Sequence, residues 1–144
     1  MATKLRMFGG KQFISVLFGL VVGLVYFSLI RRFDFTMIGL TFDIVGVVVA
    51  TAIVEELTFS GFVAGYLERV GHKRWMNLLI IGLMVSLIRL PILLFVYRAG
   101  LVDLTGVLLL AGASGMVNAW IRVTTDNVYG SVLARVMMNL AVLR

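Results

Sequence analysis

Apolar residues fill five stretches of the chain, and charged or turn-forming residues separate these stretches. The first four have about the 20 residues that a helix needs to cross the hydrocarbon core of a bilayer, and the last is shorter. The pattern predicts an all-α fold, a bundle of about five transmembrane helices joined by short loops. We place these helices at residues 11–30, 43–66, 75–97, 102–121 and 128–143.

Small and polar residues within the predicted spans indicate how the helices pack. Gly19 and Gly23 form a GxxxG pattern, which allows two helices to approach closely and which we interpret as packing within the chain rather than dimerisation. The fourth span is rich in glycine, alanine and serine, which also favours tight packing. We expect Ser114, Asn118 and the other uncharged polar residues of the spans to form hydrogen bonds between helices.

The composition agrees with an integral membrane protein. Hydrophobic residues make up 61% of the chain, charged residues 14%, and the mean hydropathy is +1.08. In a soluble domain about a quarter of the residues are charged. We treat residues 1–144 as one membrane domain in contact with lipids. The sequence has no cysteine, which excludes disulfides, thiolate catalysis and cysteine-ligated metal sites.

The chain has a net charge of +6, which we attribute to membrane topology rather than to nucleic acid as a partner. Basic residues outside the spans are more numerous on one side of the five-helix arrangement. Cytoplasmic loops carry an excess of Lys and Arg, so this distribution predicts a cytoplasmic N terminus. The residues on that side are Lys4, Arg6, Lys11, Arg69, Lys73, Arg74 and Arg122, and those on the other are Arg31, Arg32, Arg98 and Arg144.

Four charged residues interrupt apolar spans: Glu55 and Glu56 in the second, Arg89 in the third and Arg135 in the fifth. An ionised side chain in the hydrocarbon region costs a few kcal/mol and usually faces a partner inside the bundle. At about 1.5 Å per residue, Glu55, Arg89 and Arg135 lie roughly 18, 21 and 10 Å from the same membrane face, so their side chains can meet. Because adjacent helical residues point about 100° apart, we expect one glutamate to face the third span and the other the fifth.

Two polar side chains share helical faces with these charges. Ser60 lies four residues after Glu56, and Asn139 lies four residues after Arg135. Residues at this spacing are neighbours on a helix surface. We therefore expect a hydroxyl and an amide in the same pocket.

Three segments of the chain resemble the CPBP family of intramembrane metalloproteases, the CAAX-protease and bacteriocin-processing (Abi) family. They are residues 55–62 (EELTFSGF), 86–91 (SLIRLP) and 130–139 (GSVLARVMMN), and the resemblance extends over about residues 45–143. The family pattern is Glu-Glu-x-x-x-Arg, then Phe-x-x-x-His, then His-x-x-x-Asn on core helices. The resemblance implies a polytopic helical fold in which a glutamate and a histidine activate water or hold zinc.

The chain departs from that pattern at the positions that carry the chemistry. Glu55, Glu56 and Asn139 match the two carboxylates and the terminal amide. The changed positions are Ser60 for the motif arginine, Val85 for the phenylalanine, and Arg89 and Arg135 for the two histidines. A guanidinium stays protonated and offers no lone pair, so it can neither bind zinc nor act as a base. We expect no catalytic residue, no metal and no other cofactor, with zinc present only if the pocket retains activity.

The retained carboxylates and the new arginines balance in number. We predict a buried ion-pair network of Glu55, Glu56, Arg89 and Arg135, to which Asn139 and Ser60 contribute hydrogen bonds. Removal of one member would leave an uncompensated buried charge, at a cost of about 3 to 5 kcal/mol.

Three functions remain open on the sequence alone. We favour a catalytically inactive CPBP-like protein that binds to, or is an accessory subunit of, a membrane protein assembly. The alternative is an active CPBP-type intramembrane metalloprotease that cleaves membrane-anchored peptides. A proton or ion relay is the third, although no histidine or lysine that could titrate lies inside a span. The resemblance implies location in a bacterial cytoplasmic membrane.

Overall fold

The computed structural model describes residues 11–31, 41–71, 73–96, 98 and 100–142, without the side chains of residues 101–103. Four of the basic residues used for the topology, Lys4, Arg6, Arg32 and Arg144, lie outside the described residues. The cytoplasmic location of the N terminus therefore stays a prediction.

The described part of the chain is a helical bundle, which confirms the all-α fold class. Its α-helices are α1 (Gln12–Arg31), α2 (Phe42–Glu56), α3 (Ala64–Val70), α4 (Arg74–Phe95), α5 (Leu101–Thr125) and α6 (Tyr129–Val142). A π-helical segment, Leu57–Val63, follows α2 directly and continues into α3, so these three elements form one uninterrupted helix. Each predicted span corresponds to one helix of this bundle, with ends that differ by a few residues.

Within the described residues, three helices are long and apolar enough to cross a membrane, namely Gln12–Arg31, Arg74–Phe95 and Leu104–Thr125. The second predicted span is long enough as a whole, but the π-helical segment divides it. The 14 residues of α6 extend over about 21 Å, less than the hydrocarbon thickness of about 30 Å. These long apolar helices identify the chain as an integral membrane protein.

The fourth span is longer than predicted, because α5 continues to Thr125. Arg122, which we expected in the following loop, therefore lies in the last turns of a helix, and only 3% of its surface is exposed. Its Nη1 donates to Glu68 Oε2 at 2.6 Å. Because this ion pair compensates the charge of Arg122, the arginine can lie buried within the helix.

Glycines bring α1 and α6 into close contact. A methyl group added at Gly19 would collide with the backbone of Gly130, and one added at Gly130 would collide with the carbonyl of Ser15. The Ser15 hydroxyl accepts a hydrogen bond from Gly130 N at 3.0 Å. Gly23 of α1 faces the side chain of Met137 on α6. The GxxxG pattern of α1 thus serves packing within the chain.

A second interface joins α4 to α5 through Gly82, Gly112 and Gly115. The apolar core beside it contains buried side chains from the π-helical segment, α3, α4 and α5: Phe59, Ala64, Ile81, Val85, Ala111 and Ala119. Large apolar side chains remain exposed on the outer faces of the helices. This arrangement is the one expected for a bundle whose surroundings are lipid.

The helix that carries the glutamates divides its contacts between two sides of the bundle. Among the described residues, α2 packs along α6, whereas the π-helical segment and α3 contact α4. α4 packs along α5 and has almost no contact with α2 itself. The backbones of α2 and α4 therefore lie apart, and we call the space between them the α2–α4 gap.

Candidate functional site

The two adjacent glutamates at the end of α2 face different helices. Glu55 accepts hydrogen bonds from Nη2 of Arg89 on α4, at 3.3 Å to Oε1 and 3.2 Å to Oε2. Glu56 accepts one from Nε of Arg135 on α6, at 2.8 Å to Oε1. The rotation of about 100° between successive helical residues produces this division.

Glu56 is 1% exposed, and both of its carboxylate oxygens have hydrogen-bond donors. Oε1 accepts from Arg135 and also from Nδ2 of Asn118 on α5, at 2.8 Å. Oε2 accepts from the hydroxyl of Ser60. A carboxylate buried this deeply is stable as an anion only when it is paired and hydrogen-bonded, and Glu56 meets both conditions.

Arg135 connects the charges on the two sides. It is 1% exposed, and its Nε lies 3.5 Å from Glu55 Oε2 as well as 2.8 Å from Glu56 Oε1. Its Nη1 donates to the hydroxyl of Ser114 on α5 at 3.2 Å and lies 3.7 Å from the sulfur of Met138. The four charges thus alternate in sign along a chain from Arg89 through Glu55 and Arg135 to Glu56.

The outer ion pair is less buried than the inner one. The side chains of Arg89 and Glu55 are 29% and 28% exposed, and they meet across the α2–α4 gap. Nε of Arg89 has no hydrogen-bond partner among the described residues. This pair is therefore the part of the network that another molecule could reach.

The π-helical segment begins directly after Glu56 and contains Ser60, which donates a hydrogen bond to that glutamate. Within it, Phe59, Ser60 and Gly61 are buried. The hydroxyl of Ser60 faces back to Glu56, four residues earlier. π-Helical turns inside α-helices are frequent at functional sites, and this one lies at the centre of the charged network.

The structure brings together five of the six residues singled out from the sequence, namely Glu55, Glu56, Ser60, Arg89 and Arg135. Asn139 is half-buried on α6, and no hydrogen bond joins it to these residues in the described part of the chain. Val85, at the family's phenylalanine position, is buried against Gly115.

Three members of the network were not singled out as site residues. Asn118 and Ser114 were expected only as contacts between helices, yet both bind the central charges directly. Their spacing of four residues places them on one face of α5, and this spacing is a signal that the sequence does contain. The hydroxyl of Tyr26 on α1 lies 3.4 Å from Asn118 Oδ1 and from the carbonyl of Ser114. Nothing in the sequence pattern marks that tyrosine.

A family model described as type II CAAX prenyl endopeptidase Rce1-like matches residues 37–141 of the chain. The chain belongs to this family. The match confirms the resemblance to CAAX-protease-type membrane proteins and covers all four charged residues of the network. No curated protein and no solved structure shows a significant match to the chain.

The residues of this Rce1-like chain do not fit the zinc that the family resemblance implies. In the described part of the chain, no three histidine, cysteine or acidic side chains are arranged to hold a metal ion. In the family pattern given above, the positions of Arg89 and Arg135 are those of the two histidines, and guanidinium groups have no lone pair for a metal. Both carboxylates accept hydrogen bonds from these arginines. The donor set is therefore that of an ion-pair network.

Proposed function

We propose that this Rce1-like chain is a non-catalytic membrane protein that acts as a binding or accessory subunit of a membrane protein assembly. The observation that carries the proposal is the pairing of both arginines, at the two imidazole positions, with the two retained carboxylates. The wider statement, membership of a CAAX-protease-type membrane family, rests on the family match.

The chemistry of the paired groups supports the absence of catalysis. A glutamate that activates water must have a free carboxylate oxygen to accept the proton. Glu56 has hydrogen-bond donors on both oxygens, and Glu55 has Arg89 at both of its oxygens. No neutral imidazole is present at either family position to share the proton or a metal.

The half-exposed pair in the α2–α4 gap supports a binding role. Charged groups that face lipid are strongly unfavourable, so intramembrane charges usually face protein or a water-filled cavity. Glu55 and Arg89 are more than a quarter exposed in the isolated chain. A membrane helix of another subunit that offers carbonyl or carboxylate oxygens in this gap would cover both charges.

Site-specific photo-crosslinking in native membranes tests this proposal. A photoreactive residue at Ile88, exposed on α4 beside Arg89, should form a discrete adduct with a second membrane protein. The matched control is the same probe at Leu17, an exposed apolar position on α1. The adduct at Ile88 should disappear when Arg89→Gln is added, because the partner is held by the charged pair.

Other outcomes would count against a binding subunit. The same adducts at Ile88 and Leu17 would indicate random collisions. An Ile88 adduct that also forms in Arg89→Gln would show that the charged pair does not hold the partner. Cleavage of a prenylated, membrane-anchored peptide by the purified chain, abolished by Glu55→Gln, would instead support the alternative of an active metalloprotease.

A further inference from the structure

A cavity with a partly polar lining lies between α3, α4 and α5, away from the charged network. It has a volume of about 160 Å³, enough for several water-sized groups. Its polar lining consists of Glu68, Arg74 and Asn77, and its apolar lining of Ala64, Leu78, Ile81 and Val123. Glu68 follows Glu56 by 12 residues, a distance of about 18 Å along a helix. The cavity is therefore separate from the ion-pair network.

Exposed aromatic residues place this cavity at the surface of the membrane. Tyr66, Trp75, Trp120 and Tyr129 are all exposed and lie near the helix ends at which α3 is followed by α4 and α5 by α6. Tryptophan and tyrosine are enriched at the level of the lipid headgroups. The polar lining of the cavity thus lies at headgroup level, with its apolar lining towards the hydrocarbon.

The lining carries a cation and an anion with unused hydrogen-bonding capacity. Arg74 is exposed, and Nη2 donates to the hydroxyl of Thr124 at 2.6 Å, but no described carboxylate pairs with it. Glu68 accepts from Arg122 through Oε2 and is 40% exposed. A guanidinium with one neutral partner is available for a phosphate, and the carboxylate retains acceptor capacity for a cation.

Asn77 provides the observation that indicates a ligand. Its side chain lines the cavity and is 5% exposed, yet Oδ1 has no hydrogen-bond partner among the described residues. Buried polar atoms are nearly always hydrogen-bonded, so an exception calls for a missing donor.

We propose that this cavity binds the headgroup of a phospholipid that carries both a phosphodiester and a primary ammonium, as phosphatidylethanolamine does. Arg74 binds the phosphate. The ammonium donates its three N–H groups to the carboxylate of Glu68 and to Oδ1 of Asn77. The apolar lining contacts the beginning of the acyl chains. This site does not depend on the proposed function, because it shares no residue with the α2–α4 gap.

Native mass spectrometry of the full chain during lipid titration tests the site. Phosphatidylethanolamine should bind at least about tenfold more tightly than phosphatidylcholine, which has the same net charge but no N–H donor on its quaternary nitrogen. Phosphatidylglycerol, which carries a phosphodiester and a net negative charge, should also bind more weakly. Glycerophosphoethanolamine, which lacks acyl chains, should not bind at the same concentration.

Variants then assign the contacts. Arg74→Gln should lower the affinity for phosphatidylethanolamine about tenfold, whereas Arg74→Lys should retain most of it. Asn77→Leu, which keeps the branched shape and the number of heavy atoms of the side chain, should abolish the preference over phosphatidylcholine. Lys73→Gln is the matched control, because it removes the same charge from the adjacent exposed position outside the cavity lining.

Several results would overturn the proposal. Equal losses in Arg74→Gln and Lys73→Gln would mean unspecific attraction to a basic surface. Equal affinity for the ethanolamine and choline lipids, or tighter binding of phosphatidylglycerol, would remove the role of the ammonium. Equal binding of glycerophosphoethanolamine would exclude a lipid as the specific ligand.

Discussion

Arg135→Met tests the energetic role of the central arginine. The substitution removes a charged hydrogen bond to Glu56, worth about 1.5 to 3 kcal/mol, and a hydrogen bond to Ser114, worth about 1 kcal/mol. Asn118 and Ser60 still donate to the carboxylate, so the loss should lie near the low end of the range for breaking a buried ion pair. We expect the free energy of unfolding to fall by about 3 kcal/mol.

Unfolding by sodium dodecyl sulfate in mixed micelles, followed by tryptophan fluorescence, measures this loss. Arg135→Met is then repeated in a chain that already carries Glu56→Gln. Position 56 no longer has a charge that needs a counter-ion, so Arg135→Met should cost only about 1 kcal/mol there. Arg89→Met should cost less than Arg135→Met, because Glu55 keeps Nε of Arg135 at 3.5 Å as a counter-charge. The reasoning would be refuted if the loss in the double variant equalled the sum of the losses in Glu56→Gln and Arg135→Met within about 0.5 kcal/mol.

Three further substitutions test other contacts by the same unfolding measurement. Gly130→Ala should destabilise the chain by about 1 to 3 kcal/mol because its methyl group meets the backbone of α1, whereas Gly106→Ala, which meets no atom, should be neutral or stabilising. Asn118→Leu should cost about 1.5 to 3 kcal/mol, because the buried carboxylate loses a donor; no change would exclude that contact. Ser60→Ala should cost about 1 kcal/mol, because Glu56 loses a donor. Thr58→Ala should cost less, because the exposed hydroxyl of Thr58 bonds only to its own helix. Equal costs would contradict the placement of Ser60.

The length and spacing of the apolar stretches were sufficient to predict the helices of the bundle. The membrane environment makes this signal strong, because every span must be apolar over a fixed length. The end of α5 was placed too early because Arg122 was read as a loop residue, and its pairing with Glu68 depends on a contact between helices. The π-helical segment has no signature in the apolar pattern, since it changes the hydrogen bonding of the backbone and leaves the composition unchanged.

The candidate site was predictable where charge alone selects the residues. Two glutamates and two arginines in apolar spans must find partners, and the helical rotation between Glu55 and Glu56 separates their directions. Which uncharged residues complete the network depends on how α1 and α5 cross the other helices. Tyr26 could not be assigned from the sequence for this reason. The spacing of Ser114 and Asn118 places them on one face of α5, but it does not show which helices that face contacts.

Zinc stoichiometry tests the central claim most directly, because the claim is that guanidinium groups have turned a metal centre into a neutral ion-pair network. The purified chain in lipid is incubated with zinc and freed of unbound metal, and its zinc content is then measured by elemental mass spectrometry. We predict that it retains far less than an equimolar amount of zinc, and that Arg89→His combined with Arg135→His retains markedly more, since two imidazoles join two carboxylates. Equimolar zinc in the unchanged chain, lost in Glu55→Gln, would contradict the account.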